Sequence, residues 1–272
     1  MAPGSLAMTW SDRNEPGLQV TEDAFLGGAL RVLQPVGGYR AGIDAVLLAA
    51  AVPVKAATSE RVLDLGAGVG VVGLCIAARV GEARVTLLEI EPNLAELARR
   101  NVVRNGLEGR LDVISADVGA SARTHAELGL SAGTFSHVVA NPPFHVQGCG
   151  RPARDPIKAG AHAMPAGGLE RWVHVMARLA ASGGSATLIH RPEALCELLA
   201  ALEGRFGALK VLPIHPRAGA PAVRVLVQGR KGSRAPLTLL PGLLLHGNDN
   251  RFLPEVDGIL RHRASLDLGF GT

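Results

Sequence analysis

Aromatic side chains are scarce: six Phe, two Trp and one Tyr among 272 residues. So few rings exclude an extended stacking platform for single strands. Recognition of a nucleic acid would rest on one flipped base plus shape and phosphate contacts. Cysteine occurs three times, at positions 75, 149 and 196, with no close pair. That pattern excludes a disulfide framework and a zinc-ligand spacing, and it predicts small buried thiols in a reducing compartment. The longest apolar run, AVLLAAAVPV at 45–54, is too short to cross a bilayer and contains Pro53. Residues 1–10 have neither a basic start nor an apolar run, so no secretory signal is read and a cytoplasmic chain without membrane contact is expected. Lysine supplies only four of the 28 cations, the rest being arginine. The planar arginine fork suits phosphate and base edges, and a net charge of +4 is compatible with an RNA partner. His145, His162, His174 and His190 share no short ligand spacing, so no metal is expected.

What is present points to a globular α/β chain. Apolar residues make up 47%, which rules out global disorder. Residues 1–19 read as a flexible arm. Residues 20–55 read as an extension made of a Gly-rich hairpin and a buried helix over 43–52, ended by Pro53. The main domain spans 56–247 and a tail 248–272. Within it, apolar strands at 61–65, 84–89, 111–117, 135–141 and 185–190 alternate with helices at 71–80, 92–105, 168–181 and 192–204. Strands at 208–215 and 222–230 follow, joined by a link too short for a helix. This order predicts a mostly parallel seven-stranded sheet with an antiparallel last strand and helices on both faces.

The sharpest local signal is Asp64-Leu-Gly66-Ala-Gly68-Val-Gly70, set between the first of these strands and its helix. Glycines there permit positive φ and close approach of a ligand to the backbone. Gly68, Gly70 and Gly73 also satisfy G-x-G-x-x-G, so a nicotinamide dinucleotide and an oxidoreductase remain a reading of the loop. Three carboxylates favour S-adenosylmethionine instead. Asp64 ends its strand where it can accept from an ammonium and would repel a pyrophosphate. Glu89 ends the next strand, where it can take both ribose hydroxyls. Asp117 ends the third, within reach of an adenine amino group. Each of them can also serve as a helix cap or turn residue.

The fourth strand ends in Asn141-Pro142-Pro143-Phe144. An exocyclic amine is a poor nucleophile because its lone pair is delocalised. Two acceptors that grip its hydrogens, the Asn141 side-chain oxygen and the Pro142 carbonyl, would aim that lone pair at an electrophilic methyl. Prolines offer no N–H, so this backbone presents acceptors only. Phe144 can stack on a planar substrate. His145, next along, and Arg40, with Tyr39 in the N-terminal loop, are candidate substrate contacts. Arg230, Lys231 and Arg234 form a basic cluster that reads either as an RNA contact or as a solvated turn.

The series DLGAGVG (64–70), LLEIEPNLAELARRN (87–101), SAD (115–117) and VVANPPF (138–144) resembles class I methyltransferases of the "small domain" group. Residues 37–52 and 212–247 narrow the resemblance to bacterial N6-methyltransferases acting on an anticodon-loop adenine of valine tRNA. The resemblance implies a Rossmann-like domain, S-adenosylmethionine as cofactor, tRNA as substrate, and a monomer or weak dimer. It places Asp64 and the loop glycines Gly66, Gly68 and Gly70 at the methionine part, Glu89 at the ribose and Asp117 at the adenine. Asn141 to Phe144 fall at the target amine, with Asn141 also beside the cofactor, and Asp44 falls before the first helix. NPPFH (141–145) also resembles ribosomal RNA guanine-N2 methyltransferases, which usually carry a second, duplicated domain. Protein-glutamine methyltransferases share a similar motif, generally with Tyr where Phe144 stands and with a helical N-terminal domain.

Overall fold

Val20–Phe25 (β1) and Leu30–Pro35 (β2) pair antiparallel as the expected hairpin, and Ile43–Ala51 (α1) follows with nearly every side chain buried. The structure, a computed structural model, describes residues 18–38, 40–55, 59–146, 163–164 and 167–269. The chain then alternates Arg61–Leu65 (β3), Val71–Arg79 (α2), Arg84–Glu89 (β4), Pro92–Arg104 (α3) and Leu111–Ser115 (β5). Ala122–Glu127 (α4) precedes Phe135–Ala140 (β6) and the two-residue strands His145–Val146 (β7) and Ala163–Met164 (β8), which pair with each other. Gly168–Leu179 (α5), Ala180–His190 (β9), Leu195–Leu202 (α6), Phe206–His215 (β10) and Arg224–Lys231 (β11) complete the main sheet. Thr238–Leu239 (β12) and Leu243–Leu244 (β13) add to the edge of β10, and Pro254–His262 (α7) follows.

The order across the sheet is β5-β4-β3-β6-β9-β11-β10-β12. β11 runs antiparallel to both neighbours, and the ladders joining β5 to β9 are parallel. The seven expected strands are present, with the antiparallel one inserted between β9 and β10, and the short β12 and β13 bring the sheet to nine strands. Its strands are apolar on both sides because each side is covered. Val62, Val85 and Leu87 face a core shared with α1, α2, α3 and the hairpin. Leu63, Leu65 and Leu88 face a second core with α5 and α6. Buried parallel strands of this kind read as continuous apolar runs. Chain order reverses direction between β3 and β6, and a ligand crevice forms at such a point beyond the carboxyl ends of the strands.

Several local expectations are corrected. The helix expected over 168–181 ends at Leu179, and Ser182-Gly183-Gly184 lie inside the next strand. β9 begins at Ala180, and these residues form a bulge within it, where the pairing with β6 slips between Phe135 and His137. The connection after β5 contains α4, capped by the Ser121 hydroxyl accepting from the Thr124 N–H at 3.1 Å. Its one turn and a half is too short to show a periodic apolar face. Cys75 is buried as expected, but Cys196 is exposed on the outer face of α6, and Cys149 lies outside the described residues. Residues 254–268 are ordered: Val256, Ile259, Leu266 and Leu268 pack into the core of α1 and the hairpin, and the Leu266 N–H donates to the Ala50 carbonyl at 2.9 Å.

The hairpin is held to the domain by side chains that imitate a neighbouring strand. Asn101, wholly buried in α3, accepts from the Leu33 N–H at 2.7 Å and donates to the carbonyls of Leu33 and Val69, both at 3.0 Å. Asn105, one turn on, exchanges the same pair of bonds with Arg31 at 3.0 and 2.9 Å. Asn101 therefore ties hairpin, helix and glycine loop together. Asn101→Leu leaves three buried backbone groups unpaired, at about 1–3 kcal/mol each. We expect a loss of roughly 3 kcal/mol or more, read as a fall in Tm of about 10 °C. A Tm within about 2 °C of the parent would show that water replaces these bonds. At the opposite end of the sheet, His137 bridges Ser185 through Nδ1 at 2.8 Å and Glu60 through Nε2 at 3.1 Å. Burial holds this imidazole below its ordinary value, against the Glu60 carboxylate, which favours the charged form.

Candidate active site

A cleft of about 920 Å³ opens beyond the carboxyl ends of β3, β4 and β6. Its floor is the glycine loop. Gly66, Gly68 and Gly70 have φ of 65°, 57° and 89°, the left-handed conformations anticipated for the turn. The loop is anchored to the end of β4: the Ala67 N–H donates to the Leu88 carbonyl at 2.9 Å, and the Gly68 N–H to Glu89 Oε2 at 2.7 Å. A Cβ at Gly66 would stand 2.4 Å from the Trp172 ring of α5. Only a bare backbone fits between the loop and that indole. Gly66 and Gly68 line the cleft with backbone alone, while Gly70 starts α2 behind it.

Glu89 stands in the wall with its second oxygen, Oε1, accepting from the Glu91 N–H at 2.9 Å. Burial raises its carboxyl above the ordinary range, and the backbone donors of Glu91, Gly68 and Ile90 pull it back. Each oxygen keeps a lone pair for a ligand hydroxyl. Ile90 beside it is 59% exposed, an apolar wall facing the cleft. Asp64 is placed differently from Glu89. It lies beneath the loop, 1% exposed, and accepts from the Gly73 N–H at 3.2 Å. Burial first, then the nearby Glu89 charge, pushes its carboxyl up to about 8, against the Gly73 bond that lowers it. Asp117 sits in the exposed turn after β5, folded onto the Gly119 N–H at 2.7 Å, and does not line the cleft.

The opposite wall is Asn141, Pro142, Pro143 and Phe144, directly after β6. The Asn141 Oδ1 is buried and has no hydrogen-bond partner among the described residues. A buried acceptor without a donor costs about 1–3 kcal/mol, so such an atom marks a place where a ligand supplies the donor. The Phe144 ring meets His190 edge-on, with centroids 5.0 Å apart and planes at 79°. Burial holds His190 below its ordinary value. Among the described residues both its ring nitrogens lack a partner of hydrogen-bond geometry, although the Arg191 and Pro143 backbones lie close enough to favour the proton. The guanidinium carbons of Arg224 and Arg191 stand 5.0 and 5.5 Å from the Phe144 centroid.

The hairpin and α1 form the remaining wall. Arg40 lines it, but its guanidinium is committed: Nη1 donates to Thr21 at 2.7 Å and to the Pro35 carbonyl at 2.8 Å, and Nη2 pairs with Asp23. Asp44, in the first turn of α1, accepts from Arg224 Nε at 2.6 Å and joins this wall to β11. Tyr39 lies outside the described residues, and β7 carries His145 out of Phe144 along the chain. Lys231 donates to the Ala180 carbonyl at 2.7 Å. It ends the antiparallel strand that Arg224 begins, about 23 Å away at 3.3 Å per residue. The basic cluster is therefore at the edge of the sheet remote from the cleft. Two wall residues, Trp172 and Arg224, carry no motif. Only the rarity of tryptophan in this chain could have drawn attention to the first, while the second reaches the cleft through strand pairing that sequence does not display.

The same chemistry recurs in known proteins. Residues 40–206 match the methyltransferase small domain family. A protein of Aeromonas hydrophila named tRNA1(Val) (adenine(37)-N6)-methyltransferase is 31% identical over 198 residues, covering 71% of this chain and 77% of its own. One of the same name from Porphyromonas gingivalis is 37% identical over 107 residues, 39% of this chain and 41% of its own. A crystal structure described as a predicted O-methyltransferase of Agrobacterium tumefaciens superimposes with a TM-score of 0.70 at 37% identity, covering 82% of this chain and 98% of its own. The bare-backbone loop, the Glu89 carboxylate and the Ile90 wall fit a methionine-linked nucleoside. The chain belongs to the methyltransferase small domain family and is an S-adenosylmethionine-dependent methyltransferase.

Proposed function

We propose that the protein transfers a methyl group to the exocyclic N6 amine of an adenine in tRNA. The observation that carries this reading is the unpartnered, buried Asn141 Oδ1, followed in the cleft wall by Pro142 and Phe144. Two acceptors suit an amine with two hydrogens better than a hydroxyl with one. The curated relatives' names point to the same acceptor, an adenine amine of a tRNA. A nicotinamide oxidoreductase has no place in this family.

Bound S-adenosylmethionine supplies an electrophilic methyl on a sulfonium. In this reading the Glu89 carboxylate holds the ribose hydroxyls and the Gly66–Gly68 backbone holds the methionine part. Asp64 under the loop balances the ammonium, while Asp117, folded onto the Gly119 N–H outside the cleft, carries no cofactor contact in this reading. Asn141 Oδ1 and the Pro142 carbonyl accept the two hydrogens of the target amine, which turns its lone pair out of the ring. Phe144 supports the flipped base, a contact worth about 1–3 kcal/mol. Holding the reactants in line can supply roughly 7–11 kcal/mol of the barrier. No strong base is needed, because the amine becomes acidic only as it gains the methyl.

The test uses purified protein, isotope-labelled S-adenosylmethionine and RNA from cells lacking the gene, digested to nucleosides and read by mass spectrometry. Label in N6-methyladenosine of the tRNA fraction is the expected result. Label in N2-methylguanosine of ribosomal RNA would replace adenine by guanine as the acceptor. No label in either RNA would move the acceptor to protein amides.

A further inference from the structure

Arg224 and Arg191 flank Phe144 of the acceptor wall and Arg40 lines the hairpin wall, and their charges are not equally spent. Arg40 pairs with Asp23 and Arg224 with Asp44, and each donates to a backbone carbonyl as well. Arg191 follows β9 directly and is half-buried. Among the described residues no carboxylate stands within ion-pair distance of it, and its guanidinium carbon lies 5.5 Å from the Phe144 ring centroid. A cation held over an aromatic face is oriented and partly desolvated, which raises its worth to an anion.

We propose that Arg191 grips a phosphodiester of the target nucleotide and thereby separates a nucleotide from a free base or an amide side chain as substrate. The inference rests on the reading of Phe144 as the support of a flipped base in RNA. A base laid against that ring brings its own backbone phosphate to the rim of the wall. Arg191 stands behind the cleft lining beside Phe144, and its charge is left over for that phosphate. The guanidinium fork matches two phosphate oxygens, and phosphate contacts position a nucleic acid without reading its sequence. Arg224, neutralised by Asp44, holds the hairpin wall closed instead.

The experiment measures kcat and KM for tRNA against salt concentration in the parent protein, Arg191→Ala and Arg191→Lys, with S-adenosylmethionine affinity alongside. Arg191→Ala is expected to raise KM roughly ten- to hundredfold at low salt, the size of one charge-assisted contact. It should flatten the slope of log kcat/KM against log salt by about 0.7–0.9, one phosphate's share. kcat at saturating tRNA and cofactor affinity should stay within about twofold. Arg191→Lys should restore the slope but only part of the KM, because a point charge replaces the fork. An unchanged slope in Arg191→Ala, or a fall in kcat with KM intact, overturns the proposal and leaves Arg191 as a brace for Phe144. A parent protein that methylates no RNA overturns the underlying reading, a result distinct from either.

Discussion

Asn141→Ala is expected to lower kcat about 10²- to 10³-fold, the usual cost of removing one preorganised polar partner of the reacting group, while cofactor affinity changes little. The asymmetry follows from where the atom sits. Asn141 Oδ1 is buried, unpartnered and placed after β6, across the cleft from Glu89 and the glycine loop. Its removal relieves the desolvation cost of a lone acceptor in the free protein, so the variant should be no less stable than the parent. The loss falls on the step in which an amine hydrogen must be held. Equilibrium binding of S-adenosylmethionine, single-turnover rates and Tm on the same preparations separate these effects. Equal losses in binding and turnover would show that Asn141 serves the cofactor instead of the amine.

Much of this site is legible in the sequence because it sits where strands end. Apolar runs of five or six residues followed by glycine, acid or Asn-Pro fix both the element and the edge on which the polar residue emerges. Hence Gly66, Gly68, Glu89, Asn141 and Phe144 gather in one cleft, as their positions imply. What sequence does not show is depth. Asp64 is the penultimate residue of β3 and Glu89 the last of β4. One faces α2 beneath the loop and the other faces the cleft, and Asp117 turns onto its own backbone. Asp64 pairs with Leu87, two residues before Glu89, so both carboxylates share one face of the sheet and differ in how far along it they stand, which an apolar run does not mark. Long-range bonds are equally hidden. The grip of Asn101 on Leu33 and the pairing of Asp44 with Arg224 join segments 68 and 180 residues apart. An amphipathic helix pattern accounts for Asn101 no better than for any polar residue beside an apolar stripe.

Asp64→Asn is expected to flatten the pH dependence of stability and to leave the variant more stable than the parent at alkaline pH. The native carboxyl holds its proton up to about 8, whereas the unfolded chain releases it near 3.8. Between those values the unfolded state binds fewer protons than the native one, so the parent loses stability as pH rises. The loss is about 1.4 kcal/mol for each pH unit in that window. Asparagine imitates the protonated acid and cannot ionise, so its contribution is constant. The two proteins should have similar Tm near pH 4 and below and diverge steadily to pH 8. The raised Glu89 carboxyl adds a slope of the same sign to both. The parent tolerates this cost because a cation lowers the pKa of a neighbouring carboxyl, and the proposed partner of Asp64 is the ammonium of the cofactor. Binding at pH 7 should then release a proton from the parent and none from the variant, seen by calorimetry in buffers of different ionisation enthalpy. It should also be markedly weaker in the variant. A variant that binds S-adenosylmethionine as tightly as the parent, with the same proton release, would leave Asp64 with its bond to Gly73 alone and assign the ammonium to the loop backbone.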